Sequence, residues 1–130
     1  MFKIYQLDHL VLTVKNLEET IRFYTQALGM SEMTYADGRK ALLFGDQKIN
    51  LHEAGKEFEP KSQFPTPGSA DLCFITKTPI TAVISHLNTI GIAILEGPVS
   101  RMGAQNQLES VYVRDPDLNL IEISNEVLDS

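Results

Sequence analysis

Cysteine is almost missing from this chain. Cys73 stands alone among 130 residues, so no intrachain disulfide can form and a reducing, cytoplasmic setting is expected. No apolar run approaches the roughly 18 residues that a membrane span requires. The opening MFKIYQLDH lacks the uninterrupted apolar stretch of a signal peptide. Basic charge is also short: 11 Lys and Arg against 17 Asp and Glu leave a net charge of −6. That argues against a nucleic-acid or anionic-membrane partner, since both need a basic footprint. What is present is 43% hydrophobic and 22% charged, the balance of a soluble globular protein. A chain of this length buries roughly two-thirds of its unfolded surface. One domain spanning residues 1–130 is expected.

The hydrophobic periodicity divides the chain into alternating elements. Leu7–Val14 alternates as a strand, with Leu7, His9, Val11 and Thr13 on one face. Asn16 can cap a following helix, with Glu19 as its capping-box partner. Leu17, Ile21, Tyr24 and Leu28 then form a helical stripe, which Gly29 stops. Met30–Tyr35, Arg39–Phe44 and Gln47–Glu53 read as strands separated by the turn signals Asp37-Gly38 and Gly45-Asp46. Residues 54–68 bring charges, Pro60, Pro65, Pro67 and Gly68, and read as a connection. The order then returns. Asp71–Thr76 is a strand, and Thr78 is placed to cap a helix with Pro79 at its first position. Ile80, Val83, Ile84, Leu87 and Ile90 form its apolar stripe, and Gly91 ends it. Ile92–Leu95, Gln107–Val113 and Leu118–Asn125 are expected strands, with a polar loop over 98–105.

Three landmarks repeat at one offset of 62 positions: His9 with Asp71, Asn16 with Thr78, and Gly29 with Gly91. The chain is therefore read as a duplicated strand–helix–three-strand module. Module one covers about 4–53, the linker 54–68, and module two about 69–126. The expected class is α+β: two tandem βαβββ modules forming a half-open barrel around a central cavity. Each helix covers one face of its sheet. Alternation then leaves His9, Asn50, His52, Asp71, Cys73 and Glu122 for the other face, toward the cavity.

Imidazole and carboxylate groups in a partly apolar concavity are expensive to leave unpaired. A divalent metal ion would satisfy His9, Asp71, Glu122 and either Asn50 or His52. Such donors suit Mn, Fe, Ni, Co or Zn without choosing among them. An open coordination position would polarise a substrate that binds through its own oxygens. Other residues read more plainly. Cys73 has no evident base partner and is expected to be a structural thiol. His86 lies off its helix's apolar stripe and should face solvent. Arg114, Asp115 and Asp117 should shape a turn.

The opening LDHLVLTVKNLEETIRFYTQALGM, the closing YVRDPDLNLIEISN and the paired modules resemble the vicinal oxygen chelate superfamily. That group includes glyoxalase I, extradiol dioxygenases, methylmalonyl-CoA epimerase and fosfomycin-resistance proteins. The resemblance covers essentially the whole chain. It implies a homodimer and one divalent ion per site. His9 matches the first-strand histidine and Glu122 the last-strand glutamate. Asp71 stands where the second module usually brings a histidine. Asn50 stands where glyoxalase-type members carry a glutamate, with His52 two residues on. The expected metal ligands are His9, His52 and Glu122, with Asp71 close behind. Tyr112 matches a tyrosine near the metal in fosfomycin-resistance members, and Arg101 is placed to clamp an anionic group bidentately. The resemblance implies a lyase or isomerase of the lactoylglutathione lyase type, in which Glu122 or Asp71 shuttles a proton. A glutathione hemithioacetal, a thiol conjugate, is the leading substrate. The alternatives are extradiol cleavage with Fe(II), addition of a thiol to a small electrophile, and non-catalytic small-molecule binding.

Overall fold

The computed structural model describes residues 1–128. It divides into two compact units, Met1–Pro67 and the chain from Gly68 onward. Each unit holds one four-stranded sheet and one helix, and both are wound in the same order.

In the first unit the elements are β1 (His9–Val14), α1 (Leu17–Gln26), β2 (Ser31–Tyr35), β3 (Arg39–Phe44) and β4 (Gln47–Glu53). The sheet runs β1-β4-β3-β2, with β1 parallel to β4 and the remaining pairs antiparallel. Alternation decides which face is covered. Leu12, Val14, Leu42, Ile49 and Leu51 are buried, as are Thr20 and Tyr24 of α1 and Ala27 just after it. Helix α1 begins as its sequence predicts: the Asn16 side-chain oxygen accepts from the Glu19 backbone N–H at 2.9 Å. It ends before Gly29, whose φ of +70° suits a residue without a Cβ.

The second unit repeats this with β5 (Asp71–Ile75), α2 (Ile80–Thr89), β6 (Glu96–Met102), β7 (Gln107–Arg114) and β8 (Leu120–Val127), in the order β5-β8-β7-β6. Val111, Val113, Ile121 and Ile123 are buried on the covered face with Ile80 and Leu87 of α2. Gly91 takes a φ of +78° at the position matching Gly29.

Three local expectations need correction. Thr78 does not cap α2. The cap position is Pro79, which has no side-chain bond to offer. The work is done from β8 instead: Asn125 Oδ1 accepts from the Ile80 N–H at 2.7 Å, and Asn125 Nδ2 donates to the Thr76 and Thr78 carbonyls. The offset of 62 therefore holds for the strand starts and the helix stops, but not for the caps. Second, Ile92–Leu95 is not a strand. Third, the polar loop expected over 98–105 is largely β6, which runs to Met102. Pro98 and the polar residues disguise it, because the strand is irregular. Its register shifts between Glu96 and Val99, and a Cβ on Gly97 would meet the Ser110 carbonyl oxygen at 2.5 Å. An edge strand with a bulge tolerates proline and needs glycine where two backbones approach this closely.

The turn between β7 and β8 behaves as expected of Asp115. Its carboxylate accepts from the backbone N–H groups of Asp117 and Asn119 and from the Asn119 side chain. Asn119 Oδ1 in turn accepts from the Ala70 N–H at 2.8 Å, tying the entry of β5 to this turn.

Asn125→Ala should lower unfolding stability by about 2 kcal/mol, since it strands a helix-start N–H and two carbonyls. Thr78→Ala should stay within about 0.5 kcal/mol of the parent. Urea unfolding followed by circular dichroism separates the two. Equal losses would return the cap to Thr78.

Candidate functional site

The face of each sheet away from its helix carries the candidate residues. In the first unit, His9 opens β1 opposite Lys48, Val11 stands opposite Asn50, and Thr13 opposite His52. His9 and His52 share a face but sit four residues apart in register, roughly 13 Å along the strands. Their surroundings also differ. His9 is half-exposed, and its Nδ1 lies 2.8 Å from Asp8 Oδ2. A carboxylate only accepts, so Nδ1 is the donor, and in the neutral ring Nε2 is the nitrogen left to ligate. This is how metal-ligating imidazoles are usually held. The His52 ring instead packs edge-on against Phe58 at 5.6 Å. Burial pushes its pKa down; the Glu57 carboxylate works against that, and Arg39 adds to it. Asn50 lies between the two histidines. Its Oδ1 is buried and, among the described residues, has no hydrogen-bond partner.

In the second unit, Glu122 stands opposite Cys73 on β5 and opposite Tyr112 on β7. Asp71 lies one step along, opposite Leu120, and is exposed. Tyr112 accepts a hydrogen bond from Arg101 Nε at 2.9 Å. Arg101 also donates to the Ser100 carbonyl and reaches Glu96 Oε1 at 3.3 Å. A cleft of about 470 Å³ opens along this face, with Cys73, Ile75, Arg101, Leu108 and Glu122 among its walls. Beneath it, the fully buried hydroxyls of Ser110 and Ser124 lie 2.6 Å apart. Ser124 Oγ is 3.4 Å from Cys73 Sγ and donates to Glu122 Oε2 at 3.5 Å.

The donor types are those a divalent ion takes, and His9 has the right orientation for one. Among the described residues, however, no three His, Cys, Asp or Glu side chains are gathered as a metal group. Within the first unit His52 does not stand beside His9. The arrangement therefore fits a single imidazole donor there, and no ready-made centre. Sequence reasoning did not single out Asp8 or Ser124. It named Arg101 and Tyr112, and the alternation of β7 puts Ser110 and Tyr112 on one face, but the bond between Arg101 and Tyr112 was not foreseen.

Cys73 is not the buried thiol its sequence suggested: it is exposed, on the wall of the cleft, and its surroundings raise its pKa. Desolvation pushes it up, the Ser124 hydroxyl pulls it down, and the Glu122 carboxylate pushes it up again. The thiolate is the reacting form, so alkylation by iodoacetamide should reach half its maximal rate at a higher pH than free cysteine does. Ser124→Ala should move that midpoint higher still. A midpoint below that of free cysteine would make Cys73 an activated nucleophile.

Comparison with known proteins agrees with this fold. The family model of the Glyoxalase/Bleomycin resistance protein/Dioxygenase superfamily matches residues 6–123. The chain is 60% identical over 122 residues to virulence protein STM3117 of Salmonella typhimurium, covering 94% of this chain and 85% of that protein. The crystal structure of STM3117 superposes with a TM-score of 0.95 at 59% identity, over 97% of this chain and all of that one. A glyoxalase domain-containing protein of Mycosarcoma maydis, RDO1, is 56% identical over 119 residues, 92% of this chain and 67% of its own. Lactoylglutathione lyase from Agrobacterium tumefaciens shares the fold, with a TM-score of 0.70 at 19% identity over 92% of each chain. The duplicated βαβββ units and the matched residues together place this chain in the glyoxalase, bleomycin resistance protein and dioxygenase superfamily.

Proposed function

We propose that this chain is an enzyme that binds a small, oxygen-bearing substrate on the open faces of its sheets and acts as a glyoxalase-type lyase or isomerase. The observation that carries the reading is the row in the second unit that places Glu122 beside Tyr112, itself bonded to Arg101. Glu122 is a carboxylate at the wall of a cleft, able to take a proton from a carbon next to a carbonyl and return it to the neighbouring carbon. Such a step rearranges the substrate without oxidant or reductant. Tyr112 accepts from Arg101, so its own O–H is free to donate to an oxygen on which charge develops. Arg101 keeps that phenol in place.

The candidate donors for a divalent ion are His9, through Nε2, and His52 in the first unit, and Glu122 and Asp71 in the second. When bound it would act as a Lewis acid toward the substrate's adjacent oxygens. No proton movement described above depends on it. A hemithioacetal of glutathione is the substrate we would try first, as in the enzyme whose fold this chain shares.

Metal content of the purified protein by mass spectrometry tests the donor assignment. About one divalent ion per chain is expected, and His9→Ala and Glu122→Ala should each lose it. Turnover of the methylglyoxal–glutathione hemithioacetal tests the chemistry. Glu122→Gln should lower kcat by roughly 10²–10⁴-fold while the protein still binds ligand. Stoichiometric binding without turnover, after reconstitution with Ni, Co, Zn, Mn and Fe in turn, would make this a binding protein.

A further inference from the structure

Among the described residues, two cations of the first unit's open face form no ion pair, although the Glu57 carboxylate lies in the same neighbourhood. Arg39 is the first residue of β3. Ala41, two positions on, stands opposite Asn50, so the alternation puts Arg39 on the same face at the level of His52. Its guanidinium carbon lies 3.9 Å above the Phe58 ring. The Lys48 ammonium lies 4.7 Å above the Tyr35 ring. Among the described residues neither cation has a carboxylate within ion-pair distance. Arg39 is half-buried, and a guanidinium with one face on an aromatic ring still presents its N–H donors around its edge. His52 packs edge-on against the same Phe58 ring. The Asn50 side-chain oxygen lies two residues along β4, roughly 7 Å away, buried and without a donor among the described residues.

A fork of donors without an acceptor and an acceptor without a donor, on one face and one residue pair apart, call for one molecule that supplies both. We propose that this face is a carboxylate-binding subsite, in which Arg39 takes the carboxylate bidentately and Asn50 accepts from a hydroxyl or N–H of the same small molecule. Phe58 is the platform that fixes the guanidinium plane. Lys48 adds charge without a fork, and so adds attraction but little geometry. The subsite deepens the reading above by giving its substrate an anionic end. It rests on that reading only for the claim that the occupant is the substrate.

The test follows the Arg39 Nε–H resonance by NMR while 4-hydroxybutyrate, pentanoate or chloride is added at matched ionic strength. Both carboxylates should shift the resonance saturably, and chloride should not. The hydroxy acid should bind about five-fold tighter than pentanoate, the worth of one hydrogen bond. Arg39→Lys should weaken both several-fold while circular dichroism shows the fold intact. Asn50→Leu should abolish the five-fold preference and leave pentanoate binding in place. His9→Ala should leave the titration unchanged, so failure of the metal or turnover experiments stays separate from failure here. Carboxylate shifts no larger than those from chloride, or undiminished affinity in Arg39→Lys, would overturn the subsite.

Discussion

Each unit is governed by one constraint: a four-stranded sheet covered by a helix on one side only. The apolar half of every strand goes under the helix, as Ile49, Leu51, Ile121 and Ile123 do. The two-residue period then sends whatever alternates with them to the other side. That other side is where a chain can place imidazoles, carboxylates and amides without spoiling a core. His9, Asn50 and His52 occupy it in one unit, and Asp71, Tyr112 and Glu122 in the other. The chemistry of this protein is the complement of its packing.

The same constraint explains what the sequence revealed. Most strand and helix identities and the division of faces follow from periods of 2 and 3.6, the strand expected over Ile92–Leu95 excepted, while the Asn16 cap and the two glycine stops follow from residue type. These are local signals, and they were legible. The polar loop expected over 98–105 was misread because β6 breaks its period at Gly97-Pro98, and its partner strand rather than its own residues defines it. The cap of α2 was misread for a related reason: its acceptor, Asn125, is 45 residues away in sequence. Long-range hydrogen bonds leave no period to detect.

Faces are legible in sequence, but rows are not. Alternation placed His9 and His52 together on one side of the first sheet. Only the parallel register of β1 against β4 shows that they lie at different levels, with Asn50 between them. Likewise, Arg101 reads as a loop charge until β6 is recognised as a strand and its guanidinium is seen to hold the Tyr112 phenol. Pairing register, more than residue type, decides which polar groups can act on one ligand.

The pairing of β1 with β4 has a kinetic side. Strands β2, β3 and β4 are joined by tight turns and can zip up early. Strand β1 must wait, because its partner lies beyond a helix and two strands, and closing that long loop costs entropy before any contact is gained. The second unit repeats the arrangement with β5 and β8. The strand that brings His9, and the one that brings Asp71, are thus the latecomers of their sheets. Within each unit the candidate residues come into register only as folding is completed, so a partly folded chain would hold an exposed core and no site.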